Sequence, residues 1–200
     1  MNREATLQSQ SLEGQFLIAM PSIGDDRFSR SVIYMCAHSD DGAMGLVINQ
    51  QAENLSYSNL LDKLDLFSQV EIECQKSHID ALPVHIGGPV ATSRGFVLHS
   101  SDFLIENSTL QIDDAICLTS TVDIIQAIAV GDGPTQSMTA IGYSGWGPGQ
   151  LEFEIQKNGW LTCPADHEII FDNEIDHIYD SALTKLGIDI AFLASEHGHA

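Results

Sequence analysis

The stretch "SVIYMCAHSDDGAMGLVINQ" (Ser31–Gln50) decides the fold class. Two apolar runs rich in strand-forming residues, Ser31–Ser39 and Ala43–Gln50, flank Asp40-Asp41-Gly42. Glycine supplies the positive φ that a tight reversal needs, so the two runs read as an antiparallel hairpin. Neither run alternates strictly between apolar and polar residues. Strands of that kind are buried on both faces, so the hairpin belongs to the interior of a layered domain.

Upstream, "GQFLIAMPS" reads as a strand stopped by Pro21. Asp25, Asp26, Arg27 and Phe28 follow in a polar loop. Its simplest reading is a turn in which an Asp side chain bonds nearby backbone amides; a partner-contacting loop is the alternative.

Downstream, "SYSNLLDKLDL" predicts a short helix capped by Ser56 or Ser58, with Leu60, Leu61 and Leu64 on one face. "QVEIECQKSHIDAL" fits either an edge strand or a connection. Strands are expected at "PVHIGGPV", "RGFVLHSS" and "AICLTS". "VDIIQAIAV" reads as an amphipathic helix capped by Ser120 or Thr121 and ended at Gly131. "SMTAIGYSGW" is a late strand.

"GQLEFEIQKNGW" divides the rules. Leu151, Phe153 and Ile155 alternate with glutamates as in a strand. Pro148-Gly149 before them, Asn158-Gly159 after them and the Leu151/Ile155 spacing favour a helix. "WLTCPA" is then a strand, and "DHEIIFD" and "EIDHIYDSALTKLGI" are helices, with Lys185 in the last turn and Gly187 as the stop. Strands and helices mix without a regular βαβ alternation, so the class is α+β.

A chain of 200 residues suits one domain, or at most two small ones. The expected limits are an arm over 1–13, a domain over 14–190 and a loose tail over 191–200. No apolar run approaches the ~20 residues that span a bilayer, and the polar N-terminus lacks the order of a secretory signal. Eight basic residues face 28 acidic ones, a net charge of −20. Nucleic-acid binding draws its affinity from basic residues on phosphates, so direct nucleic-acid binding and an anionic membrane surface are not expected. The charge serves solubility, or it favours a basic protein partner. Cys36, Cys74, Cys117 and Cys163 are far apart and form no C-x-x-C. Buried, reduced thiols in a cytoplasm follow.

Four stretches together carry a family likeness: "FLIAMPSIGDDRFSRSVIYMCAHSDDGAMGLVINQ", "HIGGPVATSRGFVLHS", "AIGYSGWGPGQLEFEI" and "WLTCPADHEIIFD". In this order the chain closely resembles the AlgH/YqgE family of bacterial proteins, from about Gly14 to Ile188. The resemblance implies a single α+β domain, a bifurcated sheet folded into a pseudo-barrel with short helices around it, and a cytoplasmic location. The family's name carries a link to transcriptional control of alginate production. It implies no reaction, ligand or catalytic residue.

The candidate sites follow from the residues. A nucleophile elbow needs G-x-S-x-G at a strand-to-helix turn. Gly142 and Ser144 fit, but Trp146 stands where the second glycine is required. The family's corresponding pattern resembles "GYAGWGPGQLE", with alanine in place of Ser144. His99 and Asp102 are available to complete a triad, without further support. No catalytic residue is assigned. Gly145, Gly147 and Gly149 around Trp146 and Pro148 form a shaped loop. It is either a buried turn anchored by Trp146 or an anion-holding helix start. No P-loop lysine follows, so no nucleotide or other cofactor is expected. Arg94, one of few cations, is expected to pair with an internal Asp, or else to take a carboxylate or phosphate. His38, His85 and His99 lie at strand ends where they could converge, yet no zinc-binding spacing occurs and no metal is expected. The candidate binding residues are therefore Arg94, Ser144, Trp146, Gly147, Gly149 and Gln150. The function expected is a non-enzymatic regulatory or interaction protein with a protein partner. The alternative is a small-molecule binder or small enzyme using Gly145–Gln150 with Arg94 and the strand-end histidines.

Overall fold

The computed structural model describes residues 11–67, 76–172 and 174–188. Its strands are β1 (Gln15–Ala19), β2 (Val32–Ser39), β3 (Gly42–Val47), β4 (Val84–Ile86), β5 (Val90–Ser100), β6 (Thr109–Gln111), β7 (Ile116–Thr119), β8 (Ser137–Trp146) and β9 (Trp160–Pro164). Among the described residues they form one nine-stranded sheet in the order β6-β7-β5-β8-β3-β2-β1-β9, with β4 parallel to β8. The hairpin is as expected: Ser39 faces Gly42 across the Asp40-Asp41 turn, with a register shift between Met35 and Ala37.

Both faces of the hairpin are buried, and the two-residue strand period sorts them. Phe16, Ile18, Tyr34, Cys36 and Leu46 enter the main core with Ile178, Tyr179 and Leu183. Leu17, Ile33, Met35 and Val47 enter another, with Trp146, Leu151 and Trp160. Near-continuous hydrophobicity is what a strand needs when each face has its own core.

The sheet divides at β8. Residues 139–141 lie between β5 and β4, with Ala140 opposite Phe96 on one side and His85 on the other. Residues 144–146 pair instead with β3. The chain after β3 runs along β4: Ala52 N–H donates to the Val84 carbonyl and Ile86 N–H to that of Gln50, both at 2.8 Å. Gly87-Gly88 then carries the backbone across β8 to begin β5. A Cβ on Gly88 would lie 2.3 Å from the Tyr143 carbonyl carbon, and one on Gly87 2.3 Å from the Gly142 oxygen. No side chain fits there, so "HIGGPV" ends a strand and also makes the crossing possible.

The helices cover the sheet. They are α1 (Tyr57–Lys63), α2 (Lys76–Ile79), α3 (Val122–Val130), α4 (Gln150–Gln156), α5 (His167–Ile170) and α6 (Ile175–Lys185). Ser56 caps α1, accepting the Asn59 N–H. Leu60 and Leu61 are buried, but Leu64 follows the end of the helix and stays exposed. Thr121 is the N-cap of α3, yet its hydroxyl makes no capping bond. Gly131 ends that helix at φ 82°. The ambiguous stretch from Gln69 to Leu82 ends in α2; its residues 69–75 lie outside the described ones. Strand β6 was not anticipated, because three residues including two polar ones carry no usable period. Among the described residues no helix is long and apolar enough to cross a membrane.

Candidate functional site

Strand β8 runs out at Trp146, and Gly147, Pro148 and Gly149 turn the chain into α4. Trp146 is only 7% exposed. Its indole N–H donates to Glu154 Oε2 at 2.9 Å, and the Trp160 N–H donates to the same oxygen at 2.8 Å. Gln150 is spent inside this turn: its amide nitrogen donates to Glu154 Oε1 and its oxygen accepts the Gly147 N–H. Gly149 has φ 71°, whereas Gly147 is not among the positive-φ residues.

Ser144 is inside the strand and fully buried, not on an elbow. Its hydroxyl donates to the Gly87 carbonyl at 3.2 Å, beneath the crossing. His99 and Asp102 have other partners. His99 Nδ1–H donates to the Ser100 carbonyl and its Nε2 accepts from the Thr119 hydroxyl, each at 2.9 Å. Burial pushes the His99 pKa down, so the ring is held neutral. Asp102 accepts from Ser100 and Thr135.

Beside the turn lies an open groove of about 690 Å³. Met44, Val90, Phe96, Tyr143 and Trp146 give it apolar walls, and Asp41 and Arg94 are its charges. Arg94 is exposed, and its guanidinium lies 5.4 Å from the centre of the Phe96 ring. Among the described residues it makes no ion pair, contrary to the expected bond with an internal Asp. The cause is local. Strand β5 pairs with β8 at Val90–Tyr143 and again at Gly95–Ile141, so residues 91–94 have no partner on β8 and arch between the two pairings. Ala91 holds φ 47° in that arch.

The structure thus brings Arg94, Trp146 and Gly147 to one surface with Gly145, and leaves Ser144, Gly149 and Gln150 outside its lining. Sequence reasoning missed Met44, Val90, Phe96 and Tyr143. The available signal was the apolar pair Val90 and Phe96 on either side of a lone arginine.

The strand-end histidines do not converge on this groove. His38 Nδ1 accepts the Leu12 N–H, and its Nε2–H donates to Glu152 Oε1 at 2.8 Å. His85 lines a separate cleft. Among the described residues no group of three His, Cys, Asp or Glu could hold a metal ion. Cys36, Cys117 and Cys163 are buried free thiols, each pushed up in pKa by burial. Asp25 accepts from the Arg27 N–H and guanidinium, the turn chemistry expected of that loop.

Residues 16–191 match the model of the AlgH-like family. The chain belongs to the AlgH-like family. Among its relatives, a "UPF0301 protein" of Nitrobacter hamburgensis is 54% identical over 189 residues, covering 94% of this chain and 88% of the relative. One from Rhodopseudomonas palustris is 54% identical over 193 residues, covering 96% and 88%. The solution structure of the AlgH protein from Pseudomonas aeruginosa superposes with a TM-score of 0.76 at 39% identity, covering all of both chains. Protein DIP2367 of Corynebacterium diphtheriae shares the fold, with a TM-score of 0.68 at 17% identity and 91% of each chain covered. The AlgH-like architecture expected from the resemblance is the one observed: a mixed α+β domain with a curled, bifurcated sheet and helices packed on it. In this AlgH-like chain the glycine-tryptophan segment has two sides. One is the buried indole clamp, and the other is the wall of the Arg94 groove.

Proposed function

We propose that this AlgH-like chain is a non-enzymatic interaction protein whose Arg94 groove takes an extended segment of a partner protein. The observation that carries this reading is the exposed Arg94 above apolar walls, without an ion pair among the described residues. A guanidinium with no carboxylate partner among the described residues can meet a partner's carboxylate with two parallel hydrogen bonds. Aromatic and Met side chains are the usual anchors of protein interfaces. Strand β5 leaves β8 after Val90–Tyr143, and Gly145 and Trp146 border the groove. An extended peptide suits such a strand margin. The wide opening favours a peptide over a small reactant, and the histidines lie elsewhere.

With a net charge of −20, a partner that is basic overall is drawn in at long range. An effect on transcription then runs through that partner in the cytoplasm. Duplex DNA should show no sequence-selective, salt-sensitive shift in a gel assay near physiological ionic strength.

The test is affinity capture from the native cytoplasm with quantitative mass spectrometry, comparing the natural chain with Arg94→Glu and Val90→Asp. Both substitutions are at exposed positions and should leave the unfolding midpoint in place. A discrete set of proteins recovered by the natural chain and lost by both variants supports the reading. Recovery of the same set by all three defeats it.

A further inference from the structure

We propose that His38 is a proton-operated latch. Its neutral ring holds residues 11–13 against the end of β2, and protonation of Nδ1 releases them about a hinge at Gly14. The inference does not depend on the Arg94 groove.

Three separate parts of the chain build the latch. His38 is the last residue but one of β2, and its side chain is only 4% exposed. The Leu12 N–H donates to Nδ1 at 3.1 Å. A backbone N–H can only donate, so Nδ1 carries no proton while this bond is made. The ring proton is on Nε2, 2.8 Å from Oε1 of Glu152 on α4. Among the described residues, the hydrogen bonds that residues 11–13 donate beyond their own segment end on His38. The Leu12 N–H goes to Nδ1 and the Ser11 hydroxyl, at 3.5 Å, to the carbonyl. Firm attachment to the sheet begins at Gly14, whose N–H donates to the Met35 carbonyl at 2.9 Å and whose φ is 75°. The half-buried Leu12 side chain packs against the cluster of Trp146, Leu151 and Trp160.

A second proton on the ring can go only to Nδ1, where it meets the Leu12 N–H donor to donor. One of the two ring bonds must then break. Glu152 is the charged group that faces the ring, and a carboxylate holds an imidazolium more strongly than a neutral imidazole. The Glu152 carboxyl lies below its ordinary range, through its own backbone amide first and also through the His38 bond, with burial acting the other way. It is therefore ionised where histidines usually titrate. Glu13 on the held segment and Asp40 and Asp41 in the turn after β2 are the other charges close by in the chain, and all three are acidic. These charges favour the imidazolium and do nothing for the Leu12 N–H, so the Leu12 bond is the one lost.

The test is an NMR titration of the isotope-labelled full chain from about pH 8 to about pH 5, the range in which histidine changes charge. The His38 ring nitrogens should pass from the Nε2–H tautomer to the imidazolium. The Leu12 amide should shift with the same midpoint and lose about tenfold of its protection from hydrogen exchange, the scale of one hydrogen bond. The Gly14 amide should keep its protection. In His38→Asn a neutral side-chain oxygen replaces Nδ1 as acceptor and cannot titrate, so the Leu12 amide should stay protected throughout. Glu152→Gln keeps an acceptor for Nε2–H but removes the charge, and should lower the proton affinity of the ring by about threefold, the scale of a partly exposed ion pair. Glu152 is a surface position, so this variant carries the test even where His38→Asn fails to fold. A Leu12 amide that stays protected beside a charged His38 ring would overturn the proposal. So would a ring that stays neutral across the range, the same loss at Leu12 in His38→Asn, or an unchanged midpoint in Glu152→Gln.

Discussion

Trp146 and Trp160 share one acceptor. Their indole rings meet edge to face, 5.9 Å apart at 81°, and both N–H groups donate to Glu154 Oε2. One carboxylate on α4 thus ties the end of β8 to the start of β9. The Trp146 side of the loop is architecture, whatever its outer edge binds.

Removing either part of this clamp should show in stability. Trp146→Ala is expected to cost about 3–5 kcal/mol, the scale for a large buried aromatic, from a total of about 5–15 kcal/mol. Glu154→Ala leaves two indole donors without their acceptor, at roughly 1–3 kcal/mol each. Glu154→Gln keeps an oxygen and should cost less than Glu154→Ala. Urea unfolding followed by tryptophan fluorescence measures all three. An unchanged curve for Trp146→Ala would end the architectural account.

The glycines of this region should divide sharply. Gly88 holds φ 151° with its missing Cβ in the path of β8, so Gly88→Ala must displace backbone and should prevent folding or lower the unfolding midpoint severely. Gly147 has ordinary φ, and an added Cβ would meet only the Gln150 Oε1, at 3.9 Å. A valine at Gly147 would be strained only if that position had positive φ. Without that conformation, a change within about 0.5 kcal/mol is expected, as at most exposed sites. Parallel denaturation of the two variants checks the contrast.

Ser144→Ala should be mild and functionally silent. The Gly87 carbonyl that accepts the Ser144 hydroxyl also accepts the Val47 N–H at 2.9 Å, so it stays bonded when the hydroxyl is gone. A loss of about 1 kcal/mol is the expected ceiling. Labelling of Ser144 by a fluorophosphonate probe, absent in the variant, would contradict this.

Asp102 should contribute an acid-sensitive part of the stability. The Ser100 hydroxyl first, and then the Thr135 hydroxyl and amide, hold its pKa down to about 2, against an ordinary 3.8. A carboxyl depressed by folding stabilises fully above its unfolded pKa. That contribution is lost as pH falls from 3.8 towards 2. The stability gap between the natural chain and Asp102→Asn should be level above this window and narrow inside it. Urea midpoints measured across the range provide the check, and a gap independent of pH would refute it.

The sequence by itself determined the parts set by neighbours along the chain. Alternating two-residue geometry and an aspartate-glycine turn are local, so the Ser31–Gln50 hairpin and its burial on both faces were legible. The flanking glycines likewise decided α4, where Leu151 is buried and Phe153 stands 59% exposed, as helix and not strand geometry demands. Tertiary structure alone decided what depends on residues far apart in sequence. No local pattern tells that Gly87-Gly88 must cross β8, or that Arg94 rides an arch beyond reach of any acidic partner described. Nor does one tell that Glu154 takes two tryptophans, or that His85 is sealed with one nitrogen unpaired. Hydrogen bonds and ion pairs act over a few ångströms, and only the folded backbone sets which distant side chains come within that reach.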